Sequence, residues 1–139
     1  MMKIMVSACL LGENCKYNGG NNLSQKVMGF VEGYEVISVC PEVLGGLPIP
    51  RLCSEIVNGT VTASDGHSVD SEFRKGAQIG LELAKEKDVE LVILQSRSPS
   101  CGVKQVYDGT FSGNKVEGKG IFAQLLTENG YKIIDVEDL

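Results

Sequence analysis

Short apolar runs alternate along the chain with stretches of helical spacing. Lys3–Val6, Tyr34–Val39, Glu90–Leu94 and Tyr131–Val136 read as strands, too short and too rich in β-branched residues for helices. Between the first two, Leu23, Val27, Phe30 and Val31 fall at i, i+4, i+7 and i+8. That spacing predicts a helix capped by Asn22 and ended by Gly33. Phe73, Ala77, Leu81 and Ala84 predict a longer helix running to about Asp88. Ser68 or Asp70 can cap it, and Glu72 suits the positive end of its dipole. Ile121–Asn129 predicts a short helix closed by Gly130. Within Glu55–Ser64, Asn58-Gly59 sits between Ile56-Val57 and Thr60-Val61-Thr62, a hairpin signal.

Strands alternating with helices imply a parallel sheet with right-handed crossovers. The expected fold is α/β: a single-domain (1–139), three-layer, Rossmann-like sheet of flavodoxin-like order with a small hairpin insertion. The simplest sheet order is second–first–third–fourth strand. It makes the gap between the first and third strands a topological switch point, where open α/β sheets bind ligands outside the carboxyl ends of the strands. No repeat or linker interrupts the 139 residues, which are enough for one real core.

Three loops opening on that edge carry cysteine. Ser7–Cys15 follows the first strand, Cys40–Gly46 the second and Ser98–Gly102 the third. The chain has five cysteines, an odd number that argues against a full disulfide framework. The formal net charge is −5 with no basic stripe, which disfavours a large nucleic-acid partner. No apolar run approaches the ~20 residues that span a bilayer. Met1–Leu11 is patterned as a buried strand rather than a signal peptide, so a cytoplasmic protein without a membrane partner is expected.

Cys9 and Cys15 lack the two-residue spacing of common zinc and ferredoxin motifs. Cysteines from three separate loops suit instead an iron–sulfur cluster with one iron free of protein ligands, an open position that a Lewis-acid catalyst needs. Glu42, beside Pro41, Val43 and Leu44, is a candidate general acid or base with a raised pKa, or else a solvated loop carboxylate. Ser98-Pro99-Ser100-Cys101-Gly102 offers hydroxyls to clamp a ligand, or Cys101 as a nucleophile for a cysteine-persulfide sulfur carrier. A non-enzymatic metal- or nucleotide-binding module is the third reading. Gly45-Gly46 can bring backbone amides to an anion, and Arg51 can pair with a phosphate or carboxylate or sit in a surface salt bridge. His67 lies in a polar turn and reads as a surface residue; Cys53 reads as a small buried residue.

Val6–Gly12, Cys15–Gly19, Cys40–Arg51, Ser98–Gly102 and Tyr107–Gly113, taken together and in order, resemble the bacterial family once labelled domain of unknown function five-two-three. That family includes the thiouracil desulfidases, in which a [4Fe-4S] cluster held by three cysteines removes sulfur from a thiolated pyrimidine and leaves the oxo form. The resemblance implies non-redox desulfuration of a small thiolated base or nucleotide, releasing sulfide. It implies Cys9, Cys15 and Cys101 as cluster ligands with Cys40 in reserve, Glu42 and Ser98 as catalytic residues, and Ser100, Gly45, Gly46 and Arg51 as substrate-binding residues. Lys16 and Asn18 stand where the family pattern has Arg and Asp, Leu52-Cys53-Ser54 replaces a Pro-Pro-Ala-like stretch, and Gln95 stands where lysine is common.

Overall fold

The computed structural model describes residues 2–139. In chain order its elements are β1 (Lys3–Ser7), α1 (Gln25–Val31), β2 (Glu35–Val39), the one-turn helix α2 (Pro41–Leu44), β3 (Ser54–Val57), β4 (Thr60–Ala63), α3 (Asp70–Glu86), β5 (Leu91–Leu94), β6 (Gln105–Tyr107), β7 (Lys115–Glu117), α4 (Ile121–Glu128) and β8 (Ile133–Asp135). A 3-10 turn, Ala8–Leu11, follows β1 directly. Among the described residues no helix is long and apolar enough to cross a membrane.

Four strands pair in parallel in the order β2-β1-β5-β8, the order expected for the four sequence strands. Alternation along these strands sorts the core into two layers. Ile4, Val6, Leu91 and Ile93 face Val27 and Val31 of α1 together with Leu10. Met5, Val92 and Leu94 face Ala77, Leu81 and Ala84 of α3 and Phe122, Ala123 and Leu126 of α4. The sheet is thus covered on both sides, as parallel sheets are, and its strands are apolar on both faces. Helices α3 and α4 close up because Gly80 has no side chain: a Cβ there would stand 2.7 Å from the Phe122 ring. The expected hairpin forms as β3–β4, and Val61 and Ala63 pack with Phe73 at the start of α3.

The boundaries move for local reasons. Helix α1 starts at Gln25, not after Asn22, because the Ser24 hydroxyl accepts the Val27 N–H at 3.2 Å and acts as the cap. In so short a helix only Val27 and Val31 of the expected stripe are buried; Leu23 precedes it, and Leu23 and Phe30 are exposed. Helix α3 ends before Asp88, which takes a left-handed conformation at φ +54°. At its start the Ser68 hydroxyl accepts the Asp70 N–H at 3.3 Å, while the Asp70 carboxylate accepts the Val61 N–H at 2.9 Å and so pins the hairpin. The glycine-rich stretch 107–113 forms the head of a second hairpin, β6–β7.

Candidate functional site

The carboxyl ends of β1, β2 and β5 open into a cleft of about 730 Å³, inside the range of small-molecule sites. All five cysteines line it. The 3-10 turn after β1 puts Cys9 at the floor, and Asn22 reaches back over it, its side-chain N–H lying 3.7 Å from the Cys9 sulfur. Cys15 comes from the loop beyond. Cys40 ends β2 and donates to the Cys15 carbonyl at 3.9 Å. Cys101 lies next to the β1 end, because β1 and β5 are neighbours at the switch point.

Burial is the largest effect on these thiols. It pushes Cys9 up, helped by the nearby Cys40 and only partly opposed by the Asn22 hydrogen bond. Burial and then the charge of Cys40 push Cys15 up to about 12. Cys101 is raised further by burial, only partly offset by the neighbouring Ser7 and Ser100 hydroxyls. Without a cation these sulfurs therefore keep their protons, the reverse of an activated thiolate nucleophile.

Helix α2 positions the carboxylate. Pro41 occupies its first turn, where a missing N–H costs nothing, and Glu42 follows it near the positive end. Arg51 donates to Glu42 Oε1 through Nε at 3.2 Å, to the Cys15 carbonyl at 2.9 Å and to the Pro48 carbonyl at 3.0 Å. The Arg51 backbone N–H also reaches the Tyr17 carbonyl at 2.7 Å. Arg51 thus ties the Cys15 loop to Glu42. The guanidinium expected to bind substrate is 8% exposed and already committed to protein groups.

The other Glu42 oxygen accepts the Ser100 hydroxyl at 3.0 Å. Ser98 and Ser100 hydroxyls are 2.9 Å apart; with the Ser100 proton on Glu42, Ser98 donates to Ser100. Ser98 Oγ accepts the N–H groups of Ser100 and Cys101, both at 3.0 Å, and so shapes the turn that presents Cys101. That turn is braced from behind. Pro99 and Ser100 carbonyls accept the Ile121 and Phe122 N–H groups at 2.7 and 2.9 Å, satisfying donors that the start of α4 would otherwise leave unpaired.

The expected site residues are placed differently from one another. Ser100 borders the cleft but is 1% exposed, with its hydroxyl on Glu42; Ser98 is the more accessible hydroxyl. Gly45 and Gly46 do not line the cleft. At Gly45 a Cβ would stand 2.0 Å from the Glu72 carbonyl of α3, so this glycine serves helix packing, while Gly46 takes a left-handed φ of +95° with open space around it; their N–H groups go to the Pro41 and Val43 carbonyls. Cys53 is exposed at the rim, not buried, since the chain leaving Arg51 runs over the surface. His67 is a surface residue beside Asp65, as expected. The cleft also takes in Tyr17, Asn22, Glu55, Tyr107 and Phe111, none of which carried a chemical signal in the sequence. Asn22 had been legible only as a helix cap.

No three Cys, His, Asp or Glu side chains among the described residues converge on a single-ion position. Four thiols from three loops around one cleft are instead a soft donor set, which suits a multi-iron group.

The profile of 2-thiouracil desulfurase matches residues 4–138. The uncharacterized protein YbbK of Bacillus subtilis (strain 168) is 42% identical over 147 residues, covering 98% of this chain and 97% of that protein. A solved structure of a [4Fe-4S]-dependent thiouracil desulfidase, TudS, superposes with a TM-score of 0.94 at 34% identity, over 100% of this chain and 93% of its own. With the cysteine loops at the switch point of the same fold, the chain belongs to the 2-thiouracil desulfurase family.

Proposed function

We propose that this protein removes sulfur from a thiolated pyrimidine base or nucleotide by hydrolysis, using a [4Fe-4S] cluster held by Cys9, Cys15 and Cys101, with Cys40 the alternative third ligand. One observation carries the reading: four thiols and the Ser98–Ser100–Glu42 hydrogen-bond chain meet at one cleft, at the switch point of the sheet. Cys9, Cys15 and Cys101 would hold the cluster as thiolates, and its positive charge would offset the cost that burial places on a bare thiolate. Bound there, a cluster with one iron free of protein ligands supplies a soft Lewis acid matched to thiocarbonyl sulfur.

The chain's own residues handle water and protons. Water adds to the carbon of the C=S group, and its proton passes to Glu42. Arg51 and Ser100 hold that carboxylate on the cleft wall. The carbon–sulfur bond then breaks, the carbon keeps the new oxygen as C=O, and the hydroxyl proton and the one on Glu42 leave with sulfur as hydrogen sulfide. Atoms balance as C=S plus water to C=O plus hydrogen sulfide, with no electron transferred. Ser98, accessible beside Ser100, orients the ring by hydrogen bonding. A persulfide carrier on Cys101 is the weaker reading, because that thiol is 5% exposed and raised by burial.

The test is anaerobic preparation, iron and sulfide analysis, and turnover of 2-thiouracil and 4-thiouracil followed by loss of thiocarbonyl absorbance. Cys9→Ser, Cys15→Ser and Cys101→Ser each lose most of the iron, and Cys53→Ser keeps it. Glu42→Gln keeps iron and slows turnover by about 10²–10⁴-fold. Full iron in all three ligand variants refutes the ligand set; wild-type turnover in Glu42→Gln removes that residue from the chemistry.

A further inference from the structure

One wall of the cleft is built by the head of the β6–β7 hairpin, through Tyr107, Phe111 and Gly113. Residues 108–114 are almost self-contained. Asp108 donates its N–H to the Asn114 carbonyl at 2.9 Å and accepts the Thr110 N–H at 2.9 Å, and the Asn114 side chain donates to Ser112 at 3.0 Å. Among the described residues, the hydrogen bonds that leave this segment all go to one atom. Glu55 Oε1, on β3, accepts the Gly109 N–H at 3.0 Å and the Phe111 N–H at 3.2 Å.

Glu55 takes part in none of the ion pairs of the described residues, so this tether is what its carboxylate does. The seat is a close one. Gly109 is at φ +91°, and a Cβ there would stand 2.6 Å from the Ile56 carbonyl, so the turn lies against the β3 backbone. Phe111 is held at φ +56°, a conformation that a bulky residue adopts only when its surroundings impose it.

We propose that Glu55 is a positioning residue: it holds the Gly109–Phe111 turn in place as the aromatic wall on which the flat ring of the substrate stacks. The identity of the substrate rests on the function proposed above; the tether does not. A carboxylate oxygen that accepts two N–H groups can be replaced by the amide oxygen of Gln, whereas Ala leaves both donors free. Release of the turn removes a pre-formed stacking surface, so binding suffers and the chemical step does not.

The test uses Glu55→Ala, Glu55→Gln and Phe111→Ala, with 4-thiouracil as the probe. In the cluster-loaded protein, Glu55→Ala and Phe111→Ala raise KM about tenfold, the upper range of one aromatic contact, with kcat within about twofold. Glu55→Gln restores a KM near that of the wild type. In cluster-free protein, exchange of the Gly109 and Phe111 amides speeds up about tenfold or more in Glu55→Ala and not in Glu55→Gln. Wild-type KM in Glu55→Ala, a loss of kcat at unchanged KM, or unchanged amide exchange each overturns the inference. If the wild type desulfurates no thiopyrimidine, the proposed function fails by itself. Amide exchange and the Kd of 4-thiouracil then decide the positioning role, with unchanged values refuting it.

Discussion

Gly76→Ala is the sharpest test of how the fold holds the site. Gly76 lies inside α3, where alanine is the better helix former by about 1 kcal/mol. Propensity alone therefore predicts a more stable protein. The packing predicts the opposite. A Cβ at Gly76 would stand 1.7 Å from the Pro41 carbonyl oxygen and 2.9 Å from the Gly45 nitrogen, both backbone atoms that no rotamer change can move. Reaching an ordinary carbon–oxygen contact of about 3.3 Å requires α2 to retreat by about 1.6 Å. Overpacking of this kind costs about 3 kcal/mol, so the net loss is about 2 kcal/mol. For a chain of this length that is a fall in Tm of about 8 °C. The same retreat carries Glu42 with it, and misplacement by about 1 Å can cost about 10²-fold in rate. Gly29→Ala is the control, because Gly29 is a glycine of α1 with nothing within 4 Å of its would-be Cβ. It should gain up to about 1 kcal/mol. The assays are thermal unfolding of the cluster-free variants and anaerobic turnover after loading. A Gly76→Ala protein that melts at or above the wild type would refute the account of the α2–α3 contact, and with it the argument that glycine places Glu42.

Asp70 links the hairpin to α3, and its pKa is lowered: burial acts to raise it, but the Arg74 hydrogen bond and the Val61 N–H outweigh that. A depressed carboxyl contributes stability that is present above its unfolded pKa and is lost as pH falls through its folded value. The Tm gap between wild type and Asp70→Asn should thus be open at pH 7 and close below about pH 4; a gap that does not change with pH contradicts this. Cys53 is the exposed thiol of the five, so cluster-free protein should show one fast equivalent of iodoacetamide labelling that Cys53→Ser removes. A fast phase that survives in that variant would mean that one of the other four thiols is reactive.

Local pattern alone determined the four sheet strands, the long helix α3 and the β3–β4 hairpin, because side-chain period and turn chemistry act over a few residues. Strand alternation with helices also implied a parallel sheet, and hence that the loops of Cys9, Cys40 and Cys101 open on one edge; the order β2-β1-β5-β8 was its simplest arrangement and the packed structure adopts it. Tertiary structure decided what each side chain does there. Arg51 read as a partner for a phosphate or carboxylate, but only the packed structure pairs it with Glu42 and with a carbonyl 36 residues away at Cys15. Ser100 finds Glu42 across 58 residues, and Gly109 finds Glu55 across 54. Gly45 read as an anion nest until α3 came against it. Cys53 read as core until the chain after Arg51 ran along the rim. Hydrophobic period records which face of an element is covered, and it does not record which polar group meets which. That choice follows from distances between elements remote in sequence, which exist only once the sheet and its helices have packed.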